Sequence, residues 1–162
     1  MKRIFLLALS LFLLASLVAC TDAKQYANDV SPTALAEAAL NKMDDGVAYT
    51  TAEKGFLDDY FTEPSYLIDS VIRFATDANN LNEFGIFRVE SGKAKEMGTL
   101  LENYLKDSLT LNQSWYDSYI PEETPKLRDA EVKVFGDYAV YAIADKTDRQ
   151  AFFAAVESEL TK

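Results

Sequence analysis

Apolar residues recur at steps of three and four in the middle of the chain, and this spacing predicts a long helix. The helix is predicted to begin near Lys93 and to end at Trp115 or Tyr119, because Pro121 and Pro125 do not allow it to continue. Its apolar stripe consists of Met97, Leu101, Tyr104, Leu105 and Leu109.

Shorter helices are predicted on both sides of the long one. Ser31 and Pro32 indicate a helix start, with serine at the N-cap and proline at the first helical position. Residues 52–60 are expected to hold a second short helix. Thr147 and Gln150 have the spacing of a capping box, which predicts a last helix with the stripe Phe152, Val156 and Leu160.

Four segments have the composition and spacing of β-strands. Residues 71–75 and 84–89 are predicted as two strands joined by the polar connection 76–82. Residues 132–134 and 138–144 form a second predicted pair, with a tight turn at 136–137. The class is therefore α+β, with strand-strand-helix occurring twice after an N-terminal helix. We expect one antiparallel sheet with both following helices on one face, and the other face partly covered by the N-terminal helix or exposed.

The N-terminus has the layout of a secretory signal. Lys2 and Arg3 precede 16 uncharged residues, 4–19. Leu17, Val18 and Ala19, followed by Cys20, resemble the lipobox of bacterial lipoproteins, which is cut before a lipid-modified cysteine. This predicts a signal peptide at 1–19, a lipid-anchored tether at 20–30 and one α+β domain at 31–162. An ordinary signal peptide cut after Ala19 and a plain membrane anchor are the alternatives.

Composition narrows the possible functions. The formal net charge is -10, and removing Lys2 and Arg3 with the signal would make it -12, which argues against nucleic acid as a partner. We expect the membrane contact to run through an N-terminal diacylglycerol and acyl chains such as palmitate, at the extracytoplasmic face of the cell membrane. The chain has no histidine, so Ser-His-Asp and Cys-His nucleophile systems and HExxH zinc sites are excluded. No cofactor is predicted.

Few residues of the sequence indicate a binding or catalytic site. Trp115, Tyr116 and Tyr119 precede the acidic segment 120–125, and together they could form a platform for a glycan or a peptide. We favour the other interpretation, in which Trp115 and Tyr119 cap the core at the helix end. Neither the acidic pairs 44–45 and 58–59 nor segment 77–85 has the ligand spacing of a cation loop, so no metal site is predicted.

Two segments are similar to the DUF4358 lipoproteins. They are NEFGIFRVESGKAKEMGTLLENYL (82–105) and WYDSYIPEETPKLRDAEVKVFGDYAVYAIADK (115–146), and TTAEKGFLDDYFTEPSYL (50–67) also fits. The resemblance implies a fold and a location at the cell envelope, and it supplies no catalytic residue.

The sequence thus predicts a membrane-anchored binding or interaction module whose partner is an envelope protein or a small ligand. It is not expected to be an enzyme. The alternatives are a histidine-free hydrolase that uses carboxylates, and a structural envelope protein.

Overall fold

The computed structural model describes residues 24–43 and 45–161, and these residues form an α+β fold, as predicted. The sheet has five antiparallel strands, and four helices pack on it. The strands are β1 (Tyr49–Thr51), β2 (Leu67–Ala75), β3 (Glu83–Val89), β4 (Glu131–Phe135) and β5 (Tyr138–Ile143). The helices are α1 (Pro32–Leu40), α2 (Ala94–Tyr119), α3 (Thr124–Arg128) and α4 (Lys146–Leu160).

The strand order is β1-β2-β3-β5-β4, and each neighbouring pair is antiparallel. Strand β5 lies between β3 and β4, and all six of its residues are buried. Gly136 adopts φ 57° in the turn that joins β4 to β5, a left-handed conformation that glycine adopts without strain.

The long helices α2 and α4 lie on opposite faces of the sheet, so the expectation that both occupy one face is wrong. Helices α1 and α4 pack with Phe84, Ile86 and Val140. Helix α2 packs on the other face with Phe87 and Tyr141. The physical reason is that successive residues of β5 point to opposite faces and are all apolar, so both faces need a cover.

One predicted helix is absent from the structure, and another begins earlier than predicted. Residues 54–60 form successive turns rather than a helix, with hydrogen bonds such as Asp58 N to Gly55 O at 3.0 Å. The positive φ of Gly55, 85°, is incompatible with a continuous right-handed helix. Helix α4 begins at Lys146 with Asp145 at the N-cap and no side-chain cap, so the predicted capping box at Thr147 is wrong.

Two short elements were not predicted. Strand β1 pairs with the end of β2, where Tyr49 lies opposite Ala75. Helix α3 occupies part of the proline-containing connection, with Pro125 in its first turn. Both elements are shorter than the windows in which periodicity can be recognised.

Candidate functional site

The site is built on the face of the sheet that α2 covers, and its base is a glycine. Gly85 of β3 lies directly opposite Tyr141 of β5. Because Gly85 has no side chain, the Tyr141 ring can lie over the β3 backbone, in a place that any Cβ would overlap. Glu83 lies two residues before Gly85 and therefore on the same face. The glycine thus lets the Tyr141 hydroxyl approach Glu83.

Glu83 accepts two hydrogen bonds on one oxygen. The Tyr141 hydroxyl donates to Glu83 Oε1 at 2.5 Å, and the Tyr104 hydroxyl of α2 donates to the same atom at 2.7 Å. Tyr141 is fully buried and Tyr104 is 4 % exposed, whereas Glu83 is partly buried. Among the described residues, Glu83 Oε2 has no hydrogen-bond partner. The carboxyl group is therefore held at one oxygen and free at the other.

The surroundings of Glu83 raise its pKa. Burial disfavours the charged carboxylate and has the larger effect, while the hydrogen bonds from Tyr141 and Tyr104 favour the charge and oppose the rise in pKa. Burial likewise raises the pKa of Tyr104 and of Tyr141, and the nearby Glu83 carboxylate raises both further. Both tyrosines consequently remain hydrogen-bond donors to Glu83 at neutral pH.

A cavity of about 490 Å³ opens beside this cluster. Glu83 and Tyr104 lie in its wall, which also carries aromatic and amide side chains: Phe56, Tyr60, Phe74, Tyr116, Asn80, Asn82 and Asn112. The Tyr60 and Tyr104 rings meet edge to face, with centroids 4.8 Å apart. Phe56 and Phe74 stack at 5.6 Å on another part of the wall. We call this space the Glu83 cavity.

Asn82 also lies in the cavity wall, but its side-chain amide is directed to Tyr49, which packs against Phe84 on the other face of the sheet. Asn82 Nδ2 donates to the Tyr49 hydroxyl at 3.0 Å, and that hydroxyl donates to Asp45 Oδ2 at 2.5 Å. Since the single proton of the Tyr49 hydroxyl goes to a carboxylate, Tyr49 must accept from Asn82, which fixes the orientation of the amide. Asn82 is 3 % exposed, and its Oδ1 is buried without a hydrogen-bond donor among the described residues.

The loop of residues 76–82, between β2 and β3, closes one side of the cavity and is held by one hydrogen bond within the loop and one to Glu123. Asp77 Oδ1 accepts from Asn79 N at 2.9 Å inside the loop. Leu81 N donates to Glu123 Oε2 at 2.8 Å, and the same carboxylate pairs with the buried Lys126 at 2.8 Å. The carboxylate of Glu123 therefore joins the loop to α3, and Lys126 balances its charge.

The predicted aromatic residues divide into two groups. Trp115 is 51 % exposed and Tyr119 is 69 % exposed, so the expectation that they cap the core is wrong. They lie one turn apart on α2 with ring centroids 5.0 Å apart, and Leu111, one turn earlier, is 73 % exposed. We call Leu111, Trp115 and Tyr119 the aromatic patch. Tyr116 points elsewhere: it is partly buried and lines the Glu83 cavity.

A second cavity, of about 410 Å³, lies between β2 and the turns of residues 53–61. Its charged lining residues are exposed, apart from Asp69, which is partly buried. In the Glu83 cavity, by contrast, the carboxyl group is fixed by hydrogen bonds from two buried tyrosines, and a fixed charge selects a ligand more strongly than solvated, mobile charges do. We therefore assign the candidate site to the Glu83 cavity.

Sequence reasoning missed Glu83, although two signals were present. Glu83 is a charged residue directly before the apolar run of residues 84–87, and Gly85 follows two positions later. A glycine inside a strand indicates close approach of another group, which here is the Tyr141 ring. Tyr60 and Tyr104 carry no local signal, because only the tertiary fold brings them together.

Several predicted residues are not tested by this geometry. Leu17, Val18, Ala19 and Cys20 lie outside the described residues, as does Asp44. Among residues 24–43 and 45–161, no group of three or more acidic side chains is placed to hold a metal ion. In the same part of the chain, no helix combines the length and apolarity needed to cross a membrane.

No protein-family model, no curated protein and no solved structure matches this chain. The resemblance to the DUF4358 lipoproteins therefore stays a prediction from the sequence.

Proposed function

We propose that this protein is a binding module that takes up a small ligand in the Glu83 cavity. The observation that carries the proposal is the carboxyl group of Glu83, fixed by two tyrosine hydroxyls in the wall of a cavity of about 490 Å³. Ligand sites are commonly concave, largely apolar and aromatic, with a few polar groups that determine orientation. The Glu83 cavity has this composition.

We further propose that the module is held at the outer face of a bacterial membrane by lipid on Cys20. The support comes from the sequence: two basic residues, the uncharged run of residues 4–19 and the lipobox-like residues before the cysteine. A lipid anchor would leave the domain in the extracytoplasmic space, where the cavity faces external solutes.

A pair of α2 variants tests whether the cavity is the binding site. Asn112 is partly buried and lines the cavity, whereas its neighbour Gln113 is exposed and does not. Asn112→Phe should fill the space, and Gln113→Phe should leave it open. In a thermal-shift screen of small amines, amino acids and sugars, a cavity ligand raises the melting temperature of the wild type and of Gln113→Phe only. If no compound separates the two variants, the cavity is not the site.

An envelope hydrolase is the alternative, and one observation favours it. A partly buried carboxyl group with a raised pKa is suited to donate a proton in catalysis. Carboxylate hydrolysis needs a second acid about 5–10 Å away, and Asp77 is the other acidic residue of the described lining. If hydrolysis of a glycan substrate is found, both Glu83→Gln and Asp77→Asn should abolish it.

An interaction with an envelope protein is a second candidate function, favoured by the exposed aromatic patch. Its three large apolar side chains recur every four residues on one helix face. Crosslinking in intact cells, with a tag after Lys162, tests this idea. The crosslink to a reproducible partner should disappear in a variant with Leu111, Trp115 and Tyr119 changed to serine.

A further inference from the structure

The chemistry of the cavity wall restricts the charge of its ligand. The described lining residues include Glu83 and Asp77 but neither lysine nor arginine. The buried Lys126 of α3 is already paired with Glu123 at 2.8 Å. An anionic ligand would find no partner of opposite charge in this wall, so an anion is disfavoured.

Glu83 is an acceptor with unused capacity in the cavity wall. Glu83 Oε1 accepts from two hydroxyls, and Oε2 has no donor among the described residues. The Glu83 carboxyl group can therefore accept a further hydrogen bond, or pair with a positive charge, at Oε2.

Aromatic rings make up much of the remaining cavity wall. Five rings line the cavity, namely those of Phe56, Tyr60, Phe74, Tyr104 and Tyr116. Aromatic rings attract cations through the negative potential of their faces, and cages of such rings recognise alkylated ammonium groups. A wall with the partly buried carboxyl group of Glu83, the exposed one of Asp77 and several rings suits a positive charge that carries apolar substituents. A compact hydrated metal ion fits less well, because no cluster of acidic ligands is present among the described residues.

We propose that the ligand of the Glu83 cavity is a small organic ammonium ion, with its positive charge beside Glu83 and its alkyl groups against the tyrosine and phenylalanine rings. This inference rests on the proposed function of the same cavity. The inference specifies the chemical class of the ligand but neither its length nor its substituents.

The test compares choline with 3,3-dimethylbutan-1-ol, a neutral molecule of nearly the same shape in which carbon replaces the charged nitrogen. Binding to the whole domain is followed by calorimetry and by the fluorescence of Trp115, the sole tryptophan. The ring centroids of Trp115 and the cavity residue Tyr116 are 5.5 Å apart. We expect choline to bind at least tenfold more tightly than the alcohol. We expect Glu83→Gln to lose that preference, because it removes the negative charge that favours choline over the alcohol.

Control variants separate the loss of a charge from the loss of the fold. Glu83→Gln keeps an oxygen acceptor for both tyrosine hydroxyls, and its fold is checked by near-ultraviolet circular dichroism. Should Glu83→Gln fail to fold, Asn112→Phe takes its place, and it should abolish choline binding whereas Gln113→Phe should not.

The outcomes distinguish this inference from the proposed function. Equal affinity for choline and the alcohol would overturn the ammonium inference, as would a cavity ligand from the screen that is neutral or anionic. Either result would leave the proposed binding function standing. If no compound discriminates Asn112→Phe from Gln113→Phe, the proposed function and the inference both fail. A tenfold preference for choline that depends on Glu83 supports both.

Discussion

The ring of Tyr141 covers Gly85 so closely that a Cβ at Gly85 would overlap the ring atom Cε1. This contact places the Tyr141 hydroxyl at Glu83 and so defines the base of the site. The ring has little room to retreat, because it also lies beside Phe87 and Tyr104.

Gly85→Ala should therefore destabilise the protein. Overpacking of a well-packed core costs about 1–3 kcal/mol in the free energy of unfolding. Gly98→Ala in α2 is the matched control, since its Cβ would lie 3.4 Å from Val134 and alanine favours the helix by about 1 kcal/mol. Urea denaturation of both variants measures the difference. An unchanged midpoint for Gly85→Ala would contradict the described contact.

Tyr104→Phe removes one of the two hydroxyls that hold Glu83. A hydrogen bond to a charged group contributes about 1.5–3 kcal/mol, so stability should fall by that amount at a pH where Glu83 is ionised. Tyr116→Phe is the control, because Tyr116 lines the same cavity and no described residue accepts a hydrogen bond from its hydroxyl. Equal stability of the two variants would show that the Tyr104 hydroxyl does not support Glu83.

Trp115→Ala is expected to change stability by less than about 1 kcal/mol, because Trp115 is 51 % exposed and its ring contacts lie on the surface. The interpretation from the sequence, in which Trp115 caps the core, would instead predict that the variant destabilises the fold. Leu101→Ala, at a fully buried position of the same helix, should cost about 2–5 kcal/mol. Thermal unfolding of the two variants compares them, and a similar loss in both would place Trp115 in the core.

Cys20→Ala should move the protein from the membrane fraction to the soluble fraction, or leave it as an uncleaved precursor. Metabolic labelling with palmitate should mark the wild type and not this variant, while Thr21→Ala should still be labelled. A Cys20→Ala variant that is cleaved and remains with the membrane would refute the lipoprotein assignment.

The sequence predicts a helix or strand well where an apolar face extends along many residues. The stripe of Met97 and Leu101 and the prolines after Tyr119 predict α2, which the structure has at Ala94–Tyr119. The turn at Gly136 likewise lies between β4 and β5 as predicted.

The faces of the sheet that the helices cover, and the residues of the site, could not be predicted from the sequence pattern. Tyr141 and Val140 are adjacent and both apolar, so the strand pattern does not say which helix covers which face. Tyr104 and Glu83 are 21 positions apart, and their hydrogen bond depends on how α2 crosses the sheet. The site residues are ordinary types at unremarkable spacings, and only the packing gives them a common function.

A carbon-13 NMR titration of the Glu83 carboxyl group, in the free protein and with saturating choline, shows whether this carboxyl group binds the ammonium ion. Burial raises the pKa in the free protein, so we expect a value above the usual figure of about 4.3. A bound cation favours the charged carboxylate and should bring the pKa down, and by linkage choline should bind more tightly as the pH rises through the pKa of the free protein. A pKa at or below about 4.3 in the free protein, unmoved by choline, would contradict the account.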